Sequence, residues 1–449
     1  MIFKFLKYLQ PTWYFNLPPV KAYEYFPKQE RIMNAGVEMT EDSEYLSEEA
    51  RGRDLAYRAF HGGYISKERS VNMGLNIWET CVLPLQDEYR FLRKNFHRLW
   101  VWYVLLIRLL SFKNPLREVD AFFRTLRVKR QNHLSLFNEE KYRAFESVLI
   151  SEKPLVSVII PTLNRYNYLK DVLEDLEQQT YQYFEVLVID QSEPYDSKFY
   201  DQFNLTIRLI RQEEKALWLA RNEGIRRAKG EIVAFSEDDV RINPHWLEEH
   251  LKCLDFWKSD ISCGVFYASG TRIPSNRSFF KYAEQFATGN ACLYRSVFEA
   301  TGLFDRAFEG QRMGDGEFGL RSYLAGFLSV STPYASCEDV KAPTGGLRQM
   351  GSWDAFRPKS FWSPRPIPSV LYFYRKYFGA KATILSLLKN IPPSIIPYSF
   401  KRNKLFLLLG ALLSSFLLPI LIIQIFRSWR LATKKLVKKT PEAFSVKRN

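Results

Sequence analysis

"PLVSVIIPTLNRYNYLKDVLEDLEQQTYQYFEVLVIDQS", residues 154–192, is the stretch that decides the fold. Two runs rich in β-branched residues flank a run whose apolar residues recur three and four positions apart, which is the spacing of one helix face. The alternation continues through "LTIRLIRQ" (205–212), "LWLARNEGIRRAKG" (217–230) and "EIVAFSEDDV" (231–240). Strands alternating with helices form βαβ units, so the sequence predicts an α/β fold with a mixed, mostly parallel sheet.

The last of these stretches ends in three adjacent acids, Glu237, Asp238 and Asp239. The apolar run before them is short and continuous, as in a strand that is covered on both faces. Neighbouring carboxylates repel one another, and each is costly to bury without a partner. The pattern therefore predicts a bound metal or basic side chains beside the acids. A solvated turn after the strand is the alternative interpretation.

Polar residues also follow the other predicted strands. Asn164 comes after the first strand, Asp190 ends the second, and residues 237–239 follow a later one. Ligands of parallel α/β sheets bind beyond the carboxyl ends of the strands. We therefore expect these residues to lie at one binding site.

Charge and cysteine content narrow the classes of function. The chain of 449 residues has a net charge of +15 and an aromatic content of 16%, which suits nucleic acid, anionic lipid or a phosphorylated small molecule. No nucleic-acid-binding motif is recognisable, so we expect no nucleic-acid partner. The five cysteines include no C-x-x-C pair, which argues against a zinc ribbon or a disulfide framework.

Three regions are predicted along the chain: a mainly helical region of unknown role (1–150), an α/β domain (151–355) and a helical C-terminal region with a basic tail (356–449). In the first region, "LWVWYVLLIRLL" (99–110) is expected to be a buried core helix, with a helix in the membrane plane as the alternative. In the last, "LFLLLGALLSSFLLPILIIQIF" (405–426) has 22 residues without a charge, enough for a transmembrane helix. Because basic residues flank it on both sides, including Lys401, Arg402, Lys438 and Lys439, a hairpin or a helix pair in the interface is preferred to a single crossing.

Six stretches, in this order, resemble the family 2 glycosyltransferases of the GT-A fold. They are "VSVIIPTLNR", "EVLVIDQS", "LARNEGIRRAKGEIVAFSEDDV", "GNACLYRSVFEATGLFD", "GDGEFGLRSYLAGF" and "KAPTGGLR". The resemblance covers residues 154–350. It implies a GT-A nucleotide-diphospho-sugar-binding domain, to which the helical N-terminal region and membrane-associated C-terminal helices are added.

The resemblance also implies roles for the acids. A divalent cation, Mg²⁺ or Mn²⁺, would stabilise the charge that builds up on the departing diphosphate. Asp239 matches the metal ligand of the family, and Glu237, where Asp is usual, would contact the ribose or a metal-bound water. A third ligand often comes from a histidine in the family, and Asp339 (or Glu338) stands in its place and would ligate the metal. Asp238 is assigned to the nucleotide sugar with its neighbours.

The remaining donor-site residues follow from the same motifs. By resemblance Asp190 accepts a hydrogen bond from the base, although a cap or turn role is the alternative. The loop of residues 161–164 lines the base pocket, and Arg221 reaches the base or the pyrophosphate while Asn222 holds the loop. Gly345 and Gly346 suggest a loop that closes on the donor, with Arg348 reaching the diphosphate; an ordinary glycine turn is equally compatible. The predicted donor-site residues are Pro161, Thr162, Asn164, Asp190, Arg221, Glu237, Asp238 and Arg348.

An inverting transfer needs a base that takes the proton of the attacking hydroxyl. Asp315 stands where the catalytic Asp of the family lies, with Gly314 in place of the usual Glu. Glu317 is the nearest rival. Capping of the following helix by these acids is the alternative interpretation.

The sequence thus predicts an inverting glycosyltransferase that moves one sugar from a nucleotide-diphosphate sugar to a lipid-linked or glycan acceptor. It is expected at the cytoplasmic face of the cell inner membrane, in contact with anionic lipid. A processive polysaccharide synthase is a weaker alternative, because only "QIFRSW" (424–429) approaches the Gln-x-x-Arg-Trp element of such enzymes. A basic scaffold that binds nucleic acid or membrane without catalysis is the other.

Overall fold

The structure is a computed structural model, and it describes most of the chain. The described residues are 1–20, 22–34, 37, 39–66, 69–70, 82–133, 135–136, 139–347, 355–358, 360, 362–400, 403–437 and 442–444. The chain divides into two compact units, and each unit combines two separate parts of the sequence. The first unit contains residues 1–137 and 354–432, and the second contains residues 138–353 and 433–449.

The first unit begins with helices and one short pair of strands. Its elements are α1 (Leu6–Leu9), β1 (Ala22–Tyr23), α2 (Gln29–Asn34), α3 (Glu48–His61), β2 (Arg69–Ser70), α4 (Leu85–Asn95), α5 (Arg98–Leu110) and α6 (Pro115–Arg124), with a 3-10 helix at Tyr14–Asn16. The two strands pair antiparallel. Side-chain oxygens of Ser47 and Asn114 accept hydrogen bonds from the first turns of α3 and α6, which satisfies backbone donors that a helix leaves open.

The structure corrects the expectation that residues 99–110 form a fully buried core helix. One face of α5 is buried, through Val101, Val104, Leu105 and Arg108. Its other face exposes four apolar side chains by 37–66%: Leu99, Trp102, Leu106 and Leu110. The sequence did not reveal this arrangement because both faces of the helix are apolar.

The second unit contains an α/β sheet with its flanking helices. Its elements are α7 (Glu139–Arg143), α8 (Val148–Glu152), β3 (Val156–Thr162), α9 (Tyr166–Glu177), β4 (Phe184–Asp190), β5 (Ile207–Arg211), α10 (Leu217–Arg227), β6 (Ile232–Ser236), β7 (Val240–Ile242), α11 (Trp246–Trp257), β8 (Ile261–Ala268), β9 (Lys281–Tyr282), β10 (Asn290–Tyr294), α12 (Ser296–Thr301), α13 (Gly314–Leu324) and β11 (Ser329–Asp339). Short 3-10 helices lie at Lys198–Gln202, Ser275–Arg277 and Arg306–Phe308.

The strands from β3 to β11 form one mixed sheet, as predicted, but the sheet is not mostly parallel: in the described residues four strand pairs are parallel and four are antiparallel. The order is β5-β4-β3-β6-β10-β8-β11-β7, and β9 pairs with β11. Neighbours are parallel throughout β5-β4-β3-β6. In the other half, β8 and β11 pair in parallel. β10 pairs antiparallel with β6 and β8, and β11 pairs antiparallel with β7 and β9. The parallel half brings the carboxyl ends of β4, β3 and β6 to one edge.

Burial explains why the parallel half is so apolar in sequence. Every residue of β3 is buried, and α9 buries Leu169, Val172, Leu173 and Leu176, which lie on one helix face. Proline is unusual in a central strand because it cannot donate to the ladder. Pro161 is tolerated because the ladder between β3 and β6 ends at Ile159, before it.

The C-terminal part of the first unit is helical. It contains α14 (Pro368–Tyr377), α15 (Gly379–Asn390), α16 (Lys404–Phe416) and α17 (Leu418–Leu436), with 3-10 helices at Pro392–Ile395 and Tyr398–Phe400. The end of α17 passes into the second unit. No single helix in the described part of the chain is long and apolar enough to cross a bilayer; α16 and α17 reach that length and apolarity only together, with a 90° bend between them.

Residues that follow α17 pack within the second unit. The backbone N–H of Leu303 donates to Glu442 O at 3.0 Å, and the Glu442 carboxylate pairs with Arg226. The Arg295 guanidinium lies 5.5 Å from the ring centroid of Phe444. The chain therefore returns to the sheet-containing unit after the two apolar helices.

Candidate active site

The predicted convergence of polar residues is present at the carboxyl edge of the parallel strands. Thr162 ends β3, Asp190 ends β4, and the acids follow β6 directly. The Thr162 hydroxyl donates a hydrogen bond of 2.8 Å to Asp238 Oδ2. Both side chains are buried, and this bond links the end of β3 to the acidic stretch that follows β6.

Arg165 supplies positive charge to the acidic stretch. Its Nη1 lies 2.9 Å from Asp238 Oδ1 and 3.0 Å from Asp239 Oδ2, and its Nε donates to Thr344 O at 3.1 Å. The solvated-turn interpretation does not describe this geometry, because Asp238 and Asp239 are each only 4% exposed. The sequence analysis gave Arg165 no role, although it follows Asn164 directly.

Burial changes the titration of the acidic stretch. It raises the pKa of Asp238 to about 6, and the neighbouring Asp239 adds to the rise, while Arg165 and Thr162 oppose it. Burial also raises the pKa of the Cys337 thiol well above its usual range, with contributions from Glu237, Asp339 and Asp239. The charges of Glu237, Asp239 and Asp339 therefore affect titration within one small region of the fold.

The residues present fit a divalent cation. Hard carboxylate oxygens come from the acidic stretch and from Asp339, which pairs with Val240 across β11 and β7; Arg165 and Arg221 balance part of their charge. No group of three His, Cys, Asp or Glu side chains in the described ranges is arranged to hold an ion alone. Mg²⁺ is usually held by one or two carboxylates together with substrate phosphates, so this donor set suits a cation that arrives with a diphosphate.

Asp239 also orders the chain after β11. Its carboxylate accepts a bond of 3.2 Å from Ala342 N, and its backbone carbonyl accepts one of 3.1 Å from Val340 N. Gly345 and Gly346 have φ of +70° and +79°, and a Cβ at Gly346 would lie 2.5 Å from Arg165 Cζ. The glycine loop therefore packs on Arg165 in a conformation that other residues rarely adopt. Arg348, predicted to reach the diphosphate, lies outside the described residues.

Asp190 is fully buried and accepts three hydrogen bonds. The hydroxyls of Tyr166 and Tyr200 donate to Oδ2 at 2.8 and 2.9 Å, and Ser192 N donates to Oδ1 at 2.8 Å. The bond from Ser192 is the local pattern of a turn aspartate. In this structure Asp190 holds its surroundings in position, and the contact with a base stays a prediction.

Asn164 links the loops that follow β3 and β4. It has a φ of +55°, a conformation that asparagine tolerates better than most residues. Its backbone N–H donates to Ser192 Oγ at 2.8 Å, and its side-chain Oδ1 accepts from Glu193 N at 2.7 Å. The predicted base-pocket loop of residues 161–164 is thus joined to the loop after Asp190.

A row of contacts joins the acidic stretch to α13. The Arg221 guanidinium lies 3.8 Å from Glu237 Oε1 and 5.2 Å from the ring centroid of Trp218. Trp218 in turn packs against Gly314, the first residue of α13, because a Cβ there would lie 2.3 Å from Trp218 Cζ2. Asn222 exchanges two hydrogen bonds with the backbone of Phe304, and so holds a neighbouring loop.

The row of contacts explains why glycine replaces the usual glutamate before Asp315.

Asp315 lies in the first turn of α13 and is half-buried. Its Oδ2 accepts from Gln285 Nε2 at 2.9 Å, and its Oδ1 accepts from Gly316 N at 2.8 Å. The sequence analysis missed Trp218 and Gln285, since neither belongs to a recognisable motif.

Glu317, the predicted rival of Asp315, is fully buried. Its carboxylate pairs with Arg321 at 2.9 Å, and Arg321 also donates to the backbone carbonyls of Gly302 and Leu303. Removing one partner of such a buried pair is strongly destabilising. The surroundings of Glu317 are those of a structural ion pair.

A Gly314→Ala substitution should lower the free energy of unfolding by about 1–3 kcal/mol, the usual cost of overpacking. The added methyl group would overlap the Trp218 ring. Urea unfolding followed by far-UV circular dichroism measures this change. In a Trp218→Ala background the same substitution should cost much less; an equal cost in both backgrounds would contradict the contact.

Part of the chain is similar to known proteins. Residues 157–304 match the family model described as "Glycosyl transferase family 2". The chain is 27% identical over 170 residues to "Glycosyltransferase GlyA" of Streptococcus pneumoniae, which covers 37% of this chain and 23% of that protein. It is 37% identical over 108 residues to "Glycosyltransferase AglE" of Haloferax volcanii, which covers 22% of this chain and 35% of that protein. The chain thus spans less than two thirds of the length of these relatives.

Among solved structures, S. aureus TarS residues 1–349 in complex with UDP-GlcNAc is 17% identical. The alignment covers 63% of this chain and 82% of that one, with a TM-score of 0.42. The family match falls on the strands and acids of the candidate site, and it ends just before the 3-10 helix Arg306–Phe308. Residues 157–304 therefore form a glycosyl transferase family 2 domain, whose mixed sheet has the predicted GT-A fold.

Proposed function

We propose that the second unit transfers one sugar, with inversion, from a nucleotide-diphosphate sugar to an acceptor hydroxyl. The observation that carries the proposal is the row of contacts from Glu237 through Arg221 and Trp218 to Gly314. It joins the acids after β6 to the first turn of α13, where Asp315 lies. Donor-binding acids and a candidate base are the two groups of residues that such a transfer requires.

In the proposed reaction Asp315 is the general base. Its carboxylate takes the proton of the acceptor hydroxyl as that oxygen attacks C1 of the sugar. The bond from C1 to the diphosphate oxygen breaks, and the nucleoside diphosphate leaves. The bond from Gln285 orients the Asp315 carboxylate, which limits the number of positions from which it can accept the proton.

The acidic stretch and the loops around it would bind the donor. Asp239, and Asp339 beside it, would hold a divalent cation, whose chemistry is to stabilise negative charge on the diphosphate. Arg165 keeps Asp238 and Asp239 in position, and Arg221 is held by Trp218 and Glu237 near the same acids. These guanidinium groups are suited to diphosphate oxygens.

A screen of nucleotide sugars tests the proposal. Purified protein is incubated with UDP-, GDP- and dTDP-sugars, with and without Mn²⁺ or Mg²⁺, and both hydrolysis and thermal stabilisation are measured. At least one donor should stabilise the protein and be slowly hydrolysed only when the metal is present. If no donor does either, the transferase proposal is overturned.

We propose further that the protein works at the cytoplasmic face of a membrane, where nucleotide sugars are found, on a lipid-linked or glycan acceptor. The bent pair α16–α17 exposes many large apolar side chains, among them Leu412, Phe416, Ile423 and Phe426. Basic side chains of α17, including Lys434 and Lys435, would add attraction to anionic lipid.

The return of the chain to the second unit supports a hairpin or an in-plane pair over a single crossing. The second unit precedes α16 in sequence, and Glu442 after α17 contacts Leu303 and Arg226 of that same unit. A single crossing would put these partners on opposite sides of the bilayer. The 90° bend between α16 and α17 is also consistent with a re-entrant arrangement.

A cysteine introduced as Ser445→Cys should therefore resist an impermeant thiol reagent in intact cells and react after permeabilisation. Four native cysteines are buried, and Cys81→Ser removes the remaining one. Ser445 and Cys81, like the predicted flanking residues Lys401, Arg402, Lys438 and Lys439, lie outside the described residues. Labelling from outside intact cells would establish a single span instead.

A further inference from the structure

A cavity of about 470 Å³ lies within the first unit, a size typical of small-molecule sites. The segment after α1 and the helices α5, α14, α15 and α16 contribute to its wall. Three basic side chains line it, Arg357, Lys389 and Lys404, and no acidic side chain does so among the described residues. All these residues belong to the first unit, whereas the candidate active site belongs to the second.

Two buried side-chain atoms, from residues that line the cavity, have no hydrogen-bond partner in the described part of the chain. The Trp13 side chain is only 8% exposed, and its indole Nε1 has no partner in the part of the chain that the structure describes. The same is true of Gln10 Oε1. Buried polar groups are almost always hydrogen-bonded, so these two atoms are exceptional, but each has less than 1 Å² of accessible surface and therefore does not face the cavity.

Lys389 is the basic lining residue whose pKa is shifted by burial. Its Nζ donates to the carbonyl oxygen of Leu9 and lies 5.3 Å from the ring centroid of Trp100. Burial lowers the pKa of Lys389 to about 8, because the charged form loses hydration. An anion beside Nζ would offset that loss.

The helices around the cavity also expose apolar surface. Trp100 on α5 and Lys404 and Leu407 on α16 line the cavity. On the same helices, nine apolar side chains are 37–66% exposed: Leu99, Trp102, Leu106, Leu110, Leu405, Leu408, Leu409, Leu412 and Leu413. Exposed apolar surface of this extent marks a protein or membrane contact, and the basic cavity beside it favours an anionic lipid.

We propose that this cavity binds the phosphate group of a membrane lipid, whose hydrocarbon chain lies against the exposed faces of α5 and α16. Arg357, Lys389 and Lys404, which line the cavity, would meet the negative charge. The lipid is either a bulk anionic phospholipid or a phosphate-linked prenyl lipid, which share this chemistry. The proposal does not rest on sugar transfer, and its test uses no nucleotide sugar.

Isothermal titration calorimetry on the full chain in zwitterionic detergent tests the proposal. The probes are dioctanoyl phosphatidic acid, farnesyl phosphate, farnesol and inorganic phosphate. At least one of the two phosphorylated lipids should bind more tightly than farnesol and inorganic phosphate, by roughly ten-fold or more. The phosphorylated lipid with the higher affinity identifies the source of the phosphate group. Lys389→Met should weaken that binding by roughly ten-fold to a hundred-fold, the usual effect of losing a charge-assisted hydrogen bond.

Lys381→Met is the matched control, because Lys381 is an exposed residue of the same helix and does not line the cavity. It should leave the affinity unchanged. If Lys389→Met does not fold, Lys404→Gln at the exposed start of α16 provides the second variant. Equal affinity for farnesol and farnesyl phosphate, or unchanged affinity in a folded Lys389 or Lys404 variant, would overturn the proposal.

Discussion

Replacing Asp315 with Asn should lower the rate of sugar transfer by roughly 10²–10⁴-fold, the usual share of general-base catalysis. The amide has nearly the size of the carboxylate but cannot take the proton. The hydrogen bond from Gln285 to Oδ2 can be kept by the amide oxygen, so the geometry of the site should be preserved. Affinity for the nucleotide sugar should hardly change, and calorimetry with the donor alone measures it separately from the transfer rate.

Glu317→Gln is the matched control for this substitution. It makes the same chemical change two residues along α13, in a carboxylate that is buried and paired with Arg321. We expect a loss of stability on urea unfolding, without a selective loss of transfer in the folded fraction. If Asp315→Asn kept full transfer, or lost donor affinity as much as transfer, Asp315 would not be the base.

The second large effect is expected from Asp239→Asn. Loss of its charge should remove metal-dependent donor binding and lower turnover by on the order of a hundred-fold or more, since a Lewis-acid cation contributes several kcal/mol to the transition state. Because the described residues provide no cage of three ligands, Mn²⁺ alone should bind weakly to the wild-type protein. Titration of nucleoside diphosphate in Mn²⁺ and in EDTA measures this coupling.

Asp238→Asn provides the comparison for this second experiment. Asp238 accepts hydrogen bonds from Thr162 and Arg165, so its replacement should weaken the donor site while the difference between Mn²⁺ and EDTA remains. Asp239→Asn should abolish that difference. Retention of full metal-dependent binding in the Asp239 variant would mean that the acidic stretch has no part in holding the cation.

Periodicity and strand ends were sufficient to predict the α/β core and the convergence of polar residues at the ends of its strands. The runs that became β3, β4 and β6 are continuously apolar because both of their faces are covered, and parallel pairing places their ends side by side. The convergence of Thr162, Asp190 and the acidic stretch follows from that pairing.

Other parts of the site depend on contacts that sequence patterns do not encode. Arg165 reaches the acids across 73 positions of the chain, and Gly314 is matched to the shape of Trp218. Such pairs become recognisable only when the backbone is known, because any arginine or glycine would fit the local pattern. The half-exposed state of α5 was missed for a related reason, since apolar residues on both faces are equally compatible with a core helix or a membrane-facing one.

The packing of Glu442 against the second unit has a consequence for biosynthesis. Translation produces residues 442–444 only after the apolar helices α16 and α17 have been made, so the contacts of Glu442 with Leu303 and Arg226 form late. The family 2 domain thus gains this packing contact only after both helices have been synthesised. Completion of this packing is thereby coupled in time to the synthesis of the two apolar helices.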